Sequence, residues 1–492
     1  MSNPGLIFRL HDSLKNNREQ TAFYIDNTYY TYSELYTIVR KIATLIYETQ
    51  PVSNTIGIAT SNNIYTYAAI LACWFSGQAY VPINIQLPAE RNKNILNNAD
   101  VEVLINCTES SVVELGERIV LNLKDVDNAD ANFDIKIQHL SDNTLMYILF
   151  TSGSTGVPKG VPISYKNLSA FVASFEALEL DMSKADKCLQ MFEFTFDVSV
   201  ACFLMPLLHG ASIYTVPSEG IKYINVLKIL KDKQISIACL VPSIITYLKP
   251  YFDRIQLPAV KHCILTAEAS NTADILKWKQ CIPNADIYNL YGPTEATIWC
   301  TGYKFDTSAP KSYNEMMAIG KPLLEVEAII IDEENSVITD GAKGQLCVTG
   351  KQITAGYINN PQKNEESFIK INGELFYKTG DLCYKDKTGD LYYCGRMDYQ
   401  VKVNGHRIEL GEIEATVRKL YAINNIATLY RDKDGIDKIC LFLENCEDVE
   451  MVQNTLKNEL PYYMLPHTIK SLQTFPINNS NKIDRIALKA LV

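Results

Sequence analysis

The sequence has no Cys-x-x-Cys pair and no His/Cys spacing of the kind that holds zinc, although it carries 13 cysteines spread from Cys73 to Cys446. An odd number of thiols without a pairing pattern points to reduced cysteines and a cytoplasmic setting. Net positive charge is missing as well. The formal charge is -10, which speaks against nucleic-acid binding by the chain as a whole and reads as solubility. The N-terminal MSNPGLIFRLHDSLKNNREQ lacks the basic-then-apolar order of a signal segment. No apolar run is long and unbroken enough for a membrane span. The most apolar one, YTYAAILACWFSGQAYVPI, is interrupted by Ser76, Gly77 and Gln78 and reads as a buried helix followed by a strand. There is no internal repeat and no low-complexity tract.

What is present is a chain of 492 residues, 47% of them apolar, which is too much for one ordinary core and predicts two or more domains. Between 144 and 300 short apolar strands alternate with helical patterns. TLMYILF, ASIYTVP, ISIACLV, KHCILT and DIYNL read as strands, and SYKNLSAFVASFEAL, INVLKILKDKQ, PSIITYL and TADILKWKQ as helices. That alternation predicts a parallel sheet with crossover helices. After about residue 320 the texture changes to antiparallel strands. LEVEAIIIDEENSVITD turns near Glu333–Ser336, and YQVKV and HRI are joined through Asn404-Gly405, a hairpin signal. A boundary is expected near Asp398. It would leave a large domain over 1–397 and a small α/β domain over 398–492.

The chemistry is concentrated in ILFTSGSTGVPKGVPISYKNL (148–168). An apolar strand, a loop of small hydroxylated residues and a helix form a layout suited to phosphate. Glycines allow close backbone approach, hydroxyls and N–H groups donate, and Lys159 adds charge. The loop lacks the Gly-Lys-Ser/Thr ending of a Walker A motif. By itself it is equally an ordinary surface loop.

Other segments follow in order: GQAYVPINIQLPAER, FDVSV, NLYGPTEATIW, GQLCVTGKQITAGYIN, YKTGDL, GRMDYQVKVNGHRIELGEIE and PINNSNKIDR. With TSGSTGVPKG they resemble, from about Thr31 to Arg485, the adenylate-forming superfamily of acyl-CoA synthetases, luciferases and nonribosomal peptide synthetase adenylation domains. The resemblance implies an α/β fold: a large N-terminal domain of parallel-type sheets with flanking helices and a β-rich subdomain, then a small mobile C-terminal domain hinged at Asp398. It also implies a two-step reaction. A carboxylate attacks the α-phosphate of ATP, and a thiol then attacks the acyl-adenylate. The carboxylate is already nucleophilic, so charge neutralisation and in-line positioning carry the first step.

By the same resemblance, Thr151, Ser152, Gly153, Ser154, Thr155 and Lys159 would hold phosphates, and Glu295 would bind Mg2+, with Thr294 near the α-phosphate. Leu290, Tyr291, Gly292 and Tyr393 would surround the nucleoside, with Tyr291 stacked on adenine. Asp381 would accept the ribose hydroxyls, and Arg396 would contact the nucleotide from the hinge side. Lys482 would be the catalytic cation that bridges substrate carboxylate and nucleotide. Asn481 stands before it where the family usually has Gly; both tolerate left-handed backbone. Read without the family, Asp381 is a turn residue, Arg396 a surface charge, Asp398 a linker residue and Lys482 a solvated tail lysine.

Asp197 of FDVSV resembles the aspartate that pairs with the α-ammonium of amino-acid substrates; read alone, it is a helix cap. Val198, Ala201, Cys239, Ile264, Thr266, Leu290, Ile298 and Trp299 carry over as pocket lining. Trp299 implies a small substrate of the glycine, alanine, serine or cysteine class, while Ala201 opens space. Length and the GVPISYKNL segment also resemble stand-alone D-alanine–carrier-protein ligases, which have Cys where Thr266 aligns. Tyr165, Gln345 and Asn404 depart from common family residues without removing an inferred catalytic group. With seven residues after Arg485, a phosphopantetheinyl carrier protein would be a separate chain. The expectation is therefore an ATP-dependent amino-acid-activating ligase. An acyl-CoA synthetase for a non-amino acid and a catalytically silent relative are the alternatives, separated by substrate dependence.

Overall fold

The computed structural model describes residues 5–131, 135–153, 158–339, 341–477 and 483–492. Two large sheets share one core. The first has six strands in the spatial order Ile119–Asn122, Val103–Asn106, Thr55–Ala59, Ala79–Ile83, Leu145–Thr151 and Lys159–Ser164. All its pairings are parallel except the last. The second has nine strands, and its middle is the parallel set Ser212–Thr215, Lys187–Gln190, Ile237–Leu240, His262–Leu265 and Asp286–Tyr291.

The helices Ile64–Phe75 and Val198–His209 are buried nearly all round and pack into the core shared by both sheets. This matches their near-uniform apolar sequences. The helices predicted at 224–234, 242–248 and 272–280 are present at Lys222–Asp232, Pro242–Leu248 and Thr272–Cys281. Among the described residues no helix is long and apolar enough to cross a membrane, and all 13 cysteines are free.

One expectation fails. The segment after Thr151 does not run from strand through loop into helix. Lys159–Ser164 returns as an antiparallel strand with Thr151 opposite Lys159, and the helix Tyr165–Glu176 begins only afterwards. The returning strand is the sheet edge, where Pro162 is tolerated because no inner neighbour needs its missing N–H. Ser164 then caps the helix by accepting the Asn167 N–H at 3.2 Å. Thr151 and Lys159 are therefore facing partners on antiparallel strands, and the next helix among the described residues begins at Tyr165.

From Val326 the chain builds an antiparallel sheet through Ile331, Val337–Ile338, Gly344–Gly350, Phe368–Ile371, Glu374–Lys385 and Leu391–Arg396. Beyond it, Gln400–Val403 and His406–Glu409 form the expected hairpin. Its two central residues have φ of 51° at Asn404 and 83° at Gly405, the left-handed pair that such tight turns demand. A three-stranded sheet, Asn425–Arg431, Asp437–Glu444 and Thr468–Leu472, follows with the helices Leu410–Tyr421 and Val449–Glu459. These elements have an apolar cluster of their own around Ile413, Val417, Leu441 and Leu456.

Candidate active site

The chemistry-bearing residues gather at the carboxyl ends of the parallel strands, where open α/β sheets bind ligands. Tyr291 ends Asp286–Tyr291, Thr266 follows His262–Leu265, and Thr151 ends Leu145–Thr151. Gly292 lies against the neighbouring chain. A Cβ there would come within 2.4 Å of the Ile298 carbonyl oxygen, so only glycine fits. Thr297 and Ile298 take φ of 54° and 71°, strained values for residues with side chains.

At the phosphate end, Lys159 and Glu295 are both buried. Glu295 accepts from the Tyr357 hydroxyl at 2.7 Å and from Arg407 Nη1 at 3.2 Å. Burial alone would raise its carboxyl, but Arg407, then Lys159 and the Tyr357 hydroxyl, hold it down at about 2, so it is ionised. Burial, then the Arg407 charge, lowers the Lys159 ammonium against the pull of Glu295 and Glu409. Thr151 Oγ1 is buried with no hydrogen-bond partner among the described residues. A buried hydroxyl without a partner, a buried lysine and an ionised carboxylate fit a phosphate chain with a divalent cation. Ser152 and Gly153 are in place beside them, and Ser152 Oγ donates to the Arg407 carbonyl at 3.0 Å. Ser154, Thr155 and Lys482 lie outside the described residues.

At the other end a cleft of about 830 Å³ is lined by Leu290, Tyr291, Gly292, Tyr393, Arg396 and Lys402, among others. Asp381 and Arg396 are cross-strand partners, and Arg396 Nη1 meets Asp381 Oδ1 at 2.8 Å. The Tyr291 hydroxyl also donates to Asp381. A carboxylate has about four acceptor sites, so Asp381 keeps capacity for further donors. Lys402 Nζ lies 5.4 Å from the Tyr291 ring centroid, so an ammonium now sits over the ring expected to stack on adenine.

Asp197 occupies the position before the helix Val198–His209, yet its side chain caps nothing there. Instead Asp197 Oδ2 accepts the Ile298 N–H at 3.2 Å. The left-handed turn at Thr297–Ile298 aims that N–H across the core. Burial raises the Asp197 carboxyl to about 6, with the Ile298 N–H opposing, and among the described residues it has no ion-pair partner. The Thr294 side chain also opposes that rise. Val198 and Ala201 share one apolar cluster with Cys239, Ile264, Leu290, Ile298 and Trp299. Cys239 and Ile264 are register partners on adjacent strands. Trp299 packs against Phe171 and Phe175 at centroid distances of 5.8 and 5.9 Å.

Residues 10–358 match the model of the family described as AMP-binding enzyme. The chain belongs to that family, the family of adenylate-forming ligases. Among curated AMP-binding relatives, gramicidin S synthase 1 of Brevibacillus brevis is 29% identical over 487 residues. That match takes 96% of this chain but 43% of the relative, so the chain spans less than half of that protein's length. The D-alanine--D-alanyl carrier protein ligase of Bacillus licheniformis is 29% identical over 488 residues, covering 95% of each. Among solved structures, the Vibrio cholerae adenylation domain AlmE in complex with glycyl-adenosine-5'-phosphate superposes with a TM-score of 0.89 at 24% identity. The match covers 100% of this chain and 98% of that one. At that identity the likeness speaks for the fold.

The AMP-binding motif reading missed several residues at the site. Asp398, expected at the hinge, forms a fork with Arg396, whose Nε donates to Asp398 Oδ1 at 2.9 Å. The following hairpin lies over the site. Its Gly405 N–H donates to Glu268 Oε1 at 2.7 Å, and Glu268 Oε2 accepts the Ser243 N–H at 2.8 Å. Glu409 Oε1 is 3.8 Å from Lys159 Nζ. Lys402, Arg407 and Glu409 lie in the GRMDYQVKVNGHRIELGEIE segment, whose QVKVNGHR strand the resemblance implies reaches the site, but neither they nor Glu268 and Tyr357 could be singled out, because nothing in the sequence sets the register between the hairpin and the loops it meets.

Proposed function

We propose that this enzyme activates a small α-amino acid with ATP, releasing pyrophosphate, and passes the aminoacyl group to the phosphopantetheine thiol of a separate carrier protein. The observation that carries this reading is Asp197. A buried carboxylate with no cation beside it among the described residues is an expensive arrangement unless the ligand brings the charge. An α-ammonium does so, and a plain fatty or aryl acid does not. Trp299 favours a short side chain. The relatives support the same class: one carries D-alanyl carrier protein in its name, and the structural neighbour holds a glycyl adenylate.

In this reading Asp197 orients the amino group and thereby the carboxylate nucleophile. Lys159 and the loop hydroxyls of Thr151 and Ser152, with Ser154 and Thr155, hold the phosphates in line. Mg2+, held by Glu295, supplies neutralisation of the phosphate charge. Tyr291, Asp381, Tyr393 and Arg396 fix the nucleoside. Lys482 bridges the two reacting anions. The chain then divides at Asp398, and residues 398–492 turn about that hinge between the two half-reactions.

Amino-acid-dependent exchange of labelled pyrophosphate into ATP tests the proposal. Exchange with glycine, alanine, serine or cysteine, lost in Lys482→Ala, is the expected result. Exchange only with acetate, octanoate or benzoate would overturn the Asp197 reading and favour an acyl-CoA synthetase.

A further inference from the structure

The turn that delivers the Ile298 N–H to Asp197 is held by a segment distant in sequence. After the strand Gly344–Gly350 the chain runs as an irregular strap to Tyr357. Gln352 of this strap is fully buried. Its Nε2 lies 3.2 Å from the Ala296 carbonyl oxygen, 3.4 Å from that of Thr297 and 2.7 Å from that of Trp299. The contact is reciprocal, because the Thr297 hydroxyl donates to the Gln352 carbonyl.

The strap is itself anchored. Asn167 Nδ2 donates to the Lys351 and Ile353 carbonyls, on either side of Gln352, at 2.9 Å each. Asn167 belongs to the helix Tyr165–Glu176, whose Phe171 and Phe175 pack on the Trp299 ring. Toward Glu295 the strap uses other atoms. The Thr354 N–H donates to the Glu295 carbonyl at 2.9 Å, and the Tyr357 hydroxyl donates to the Glu295 carboxylate at 2.7 Å. One amide side chain therefore serves the turn, and a separate pair of groups serves Glu295.

Two observations set Gln352 apart from ordinary packing. Thr297 and Ile298 stand at φ of 54° and 71°, conformations that persist only where the surroundings hold them. Gln352 Oε1, in turn, is buried with no hydrogen-bond partner among the described residues. A buried acceptor left unpaired is costly. What offsets that cost is the pair of amide hydrogens that the side chain gives to the turn.

We propose that Gln352 is a positioning residue for amino-acid recognition. Its amide hydrogens fix the left-handed turn at Thr297–Ile298. The turn fixes the Ile298 N–H, and that N–H orients the Asp197 carboxylate for the α-ammonium. The inference rests on the reading above that Asp197 receives that ammonium.

The test is exchange of labelled pyrophosphate into ATP by the full chain, at varied glycine, alanine, serine or cysteine and, separately, at varied magnesium ATP. Gln352→Met keeps the length of the side chain and loses its donors. It should raise the KM for the amino acid about tenfold, the scale of one lost hydrogen bond. The maximal exchange rate and the KM for magnesium ATP should stay within about twofold, since the contacts to Glu295 are left in place. Thr297→Val removes the reciprocal bond and should move the amino-acid KM the same way by a smaller factor; it decides the question if Gln352→Met does not fold. A lower melting midpoint with an unchanged amino-acid KM would make Gln352 purely structural and overturn the inference. A parallel rise of both KM values would show general loosening and overturn it as well. In either case amino-acid-dependent exchange by the unmodified enzyme would leave the Asp197 reading standing. Exchange by the unmodified enzyme only with acids that lack an amino group would overturn both.

Discussion

The indole N–H of Trp299 donates to Thr266 Oγ1 at 2.7 Å. That bond, with the packing on Phe171 and Phe175, fixes a large ring among the residues expected to line the acyl pocket. It also explains why Thr rather than an apolar residue stands at 266. Thr266→Val is expected to strand a buried N–H at a cost of about 1–3 kcal/mol. Thermal melting should show a lower midpoint that Thr266→Ser does not share. Trp299→Ala is expected to raise exchange with leucine relative to glycine by about tenfold or more, the scale of removing a few methylene-sized contacts. Unchanged selectivity would place Trp299 outside the pocket wall.

Asp197 sets a second expectation. Asp197→Asn should reduce amino-acid-dependent exchange by about a hundredfold or more, as loss of a charged partner does, while ATP binding measured by calorimetry stays near wild type. Burial holds the carboxyl at about 6, and only its ionised form pairs with an ammonium. The KM for the amino acid should therefore rise as pH falls through about 6, by roughly tenfold per unit, and Asp197→Asn should flatten that profile. For the fold the sign is reversed. A neutral carboxyl is easier to bury, so this contribution is present below the unfolded value of about 4 and lost as pH rises through about 6.

Gly292 is expected to tolerate no side chain. Gly292→Ala would place its Cβ 2.4 Å from the Ile298 carbonyl, displacing the turn that aims the Ile298 N–H at Asp197. Overpacking of this kind costs about 1–3 kcal/mol. The variant should melt lower and bind both ATP and amino acid more weakly. Normal binding of both would show that the turn relaxes without consequence.

His406 gives a pH dependence to hairpin seating. Its ring stacks on Tyr463 at 4.3 Å and meets the edge of Phe196 at 4.8 Å. Burial, then the nearby Lys222 charge, pushes it down to about 3. The seated hairpin holds His406 neutral, whereas a free histidine protonates near 6.5. Seating is therefore favoured above about 6.5 and weakens as pH falls below it. After correction for the intrinsic pH dependence of exchange, hairpin amides should lose protection between pH 7.5 and 5.5. His406→Phe should retain the protection across that range.

Much of this protein is written locally. The alternation of strands and helices from 144 to 300, the apolar helix at 64–75 and the Asn404-Gly405 turn follow from side-chain pattern and from backbone conformations that few residues tolerate, whereas the helix at 198–209 is too uniformly apolar to show a period. The motif residues, including Lys159, Asp197, Glu295 and Asp381, were visible because their chemistry is confined to short segments. Tertiary structure decided the rest. It returned Lys159–Ser164 as a strand antiparallel to Leu145–Thr151, since an edge strand of six residues leaves little periodicity to read. It brought the Asp197 carboxylate to the Ile298 N–H, 101 positions along the sequence. It brought Arg407 to Glu295 across 112 positions of sequence. Local pattern fixes which elements form and which residue types are available. Which charge meets which is set by packing between distant segments, because a buried charge accepts whichever partner the fold delivers to it.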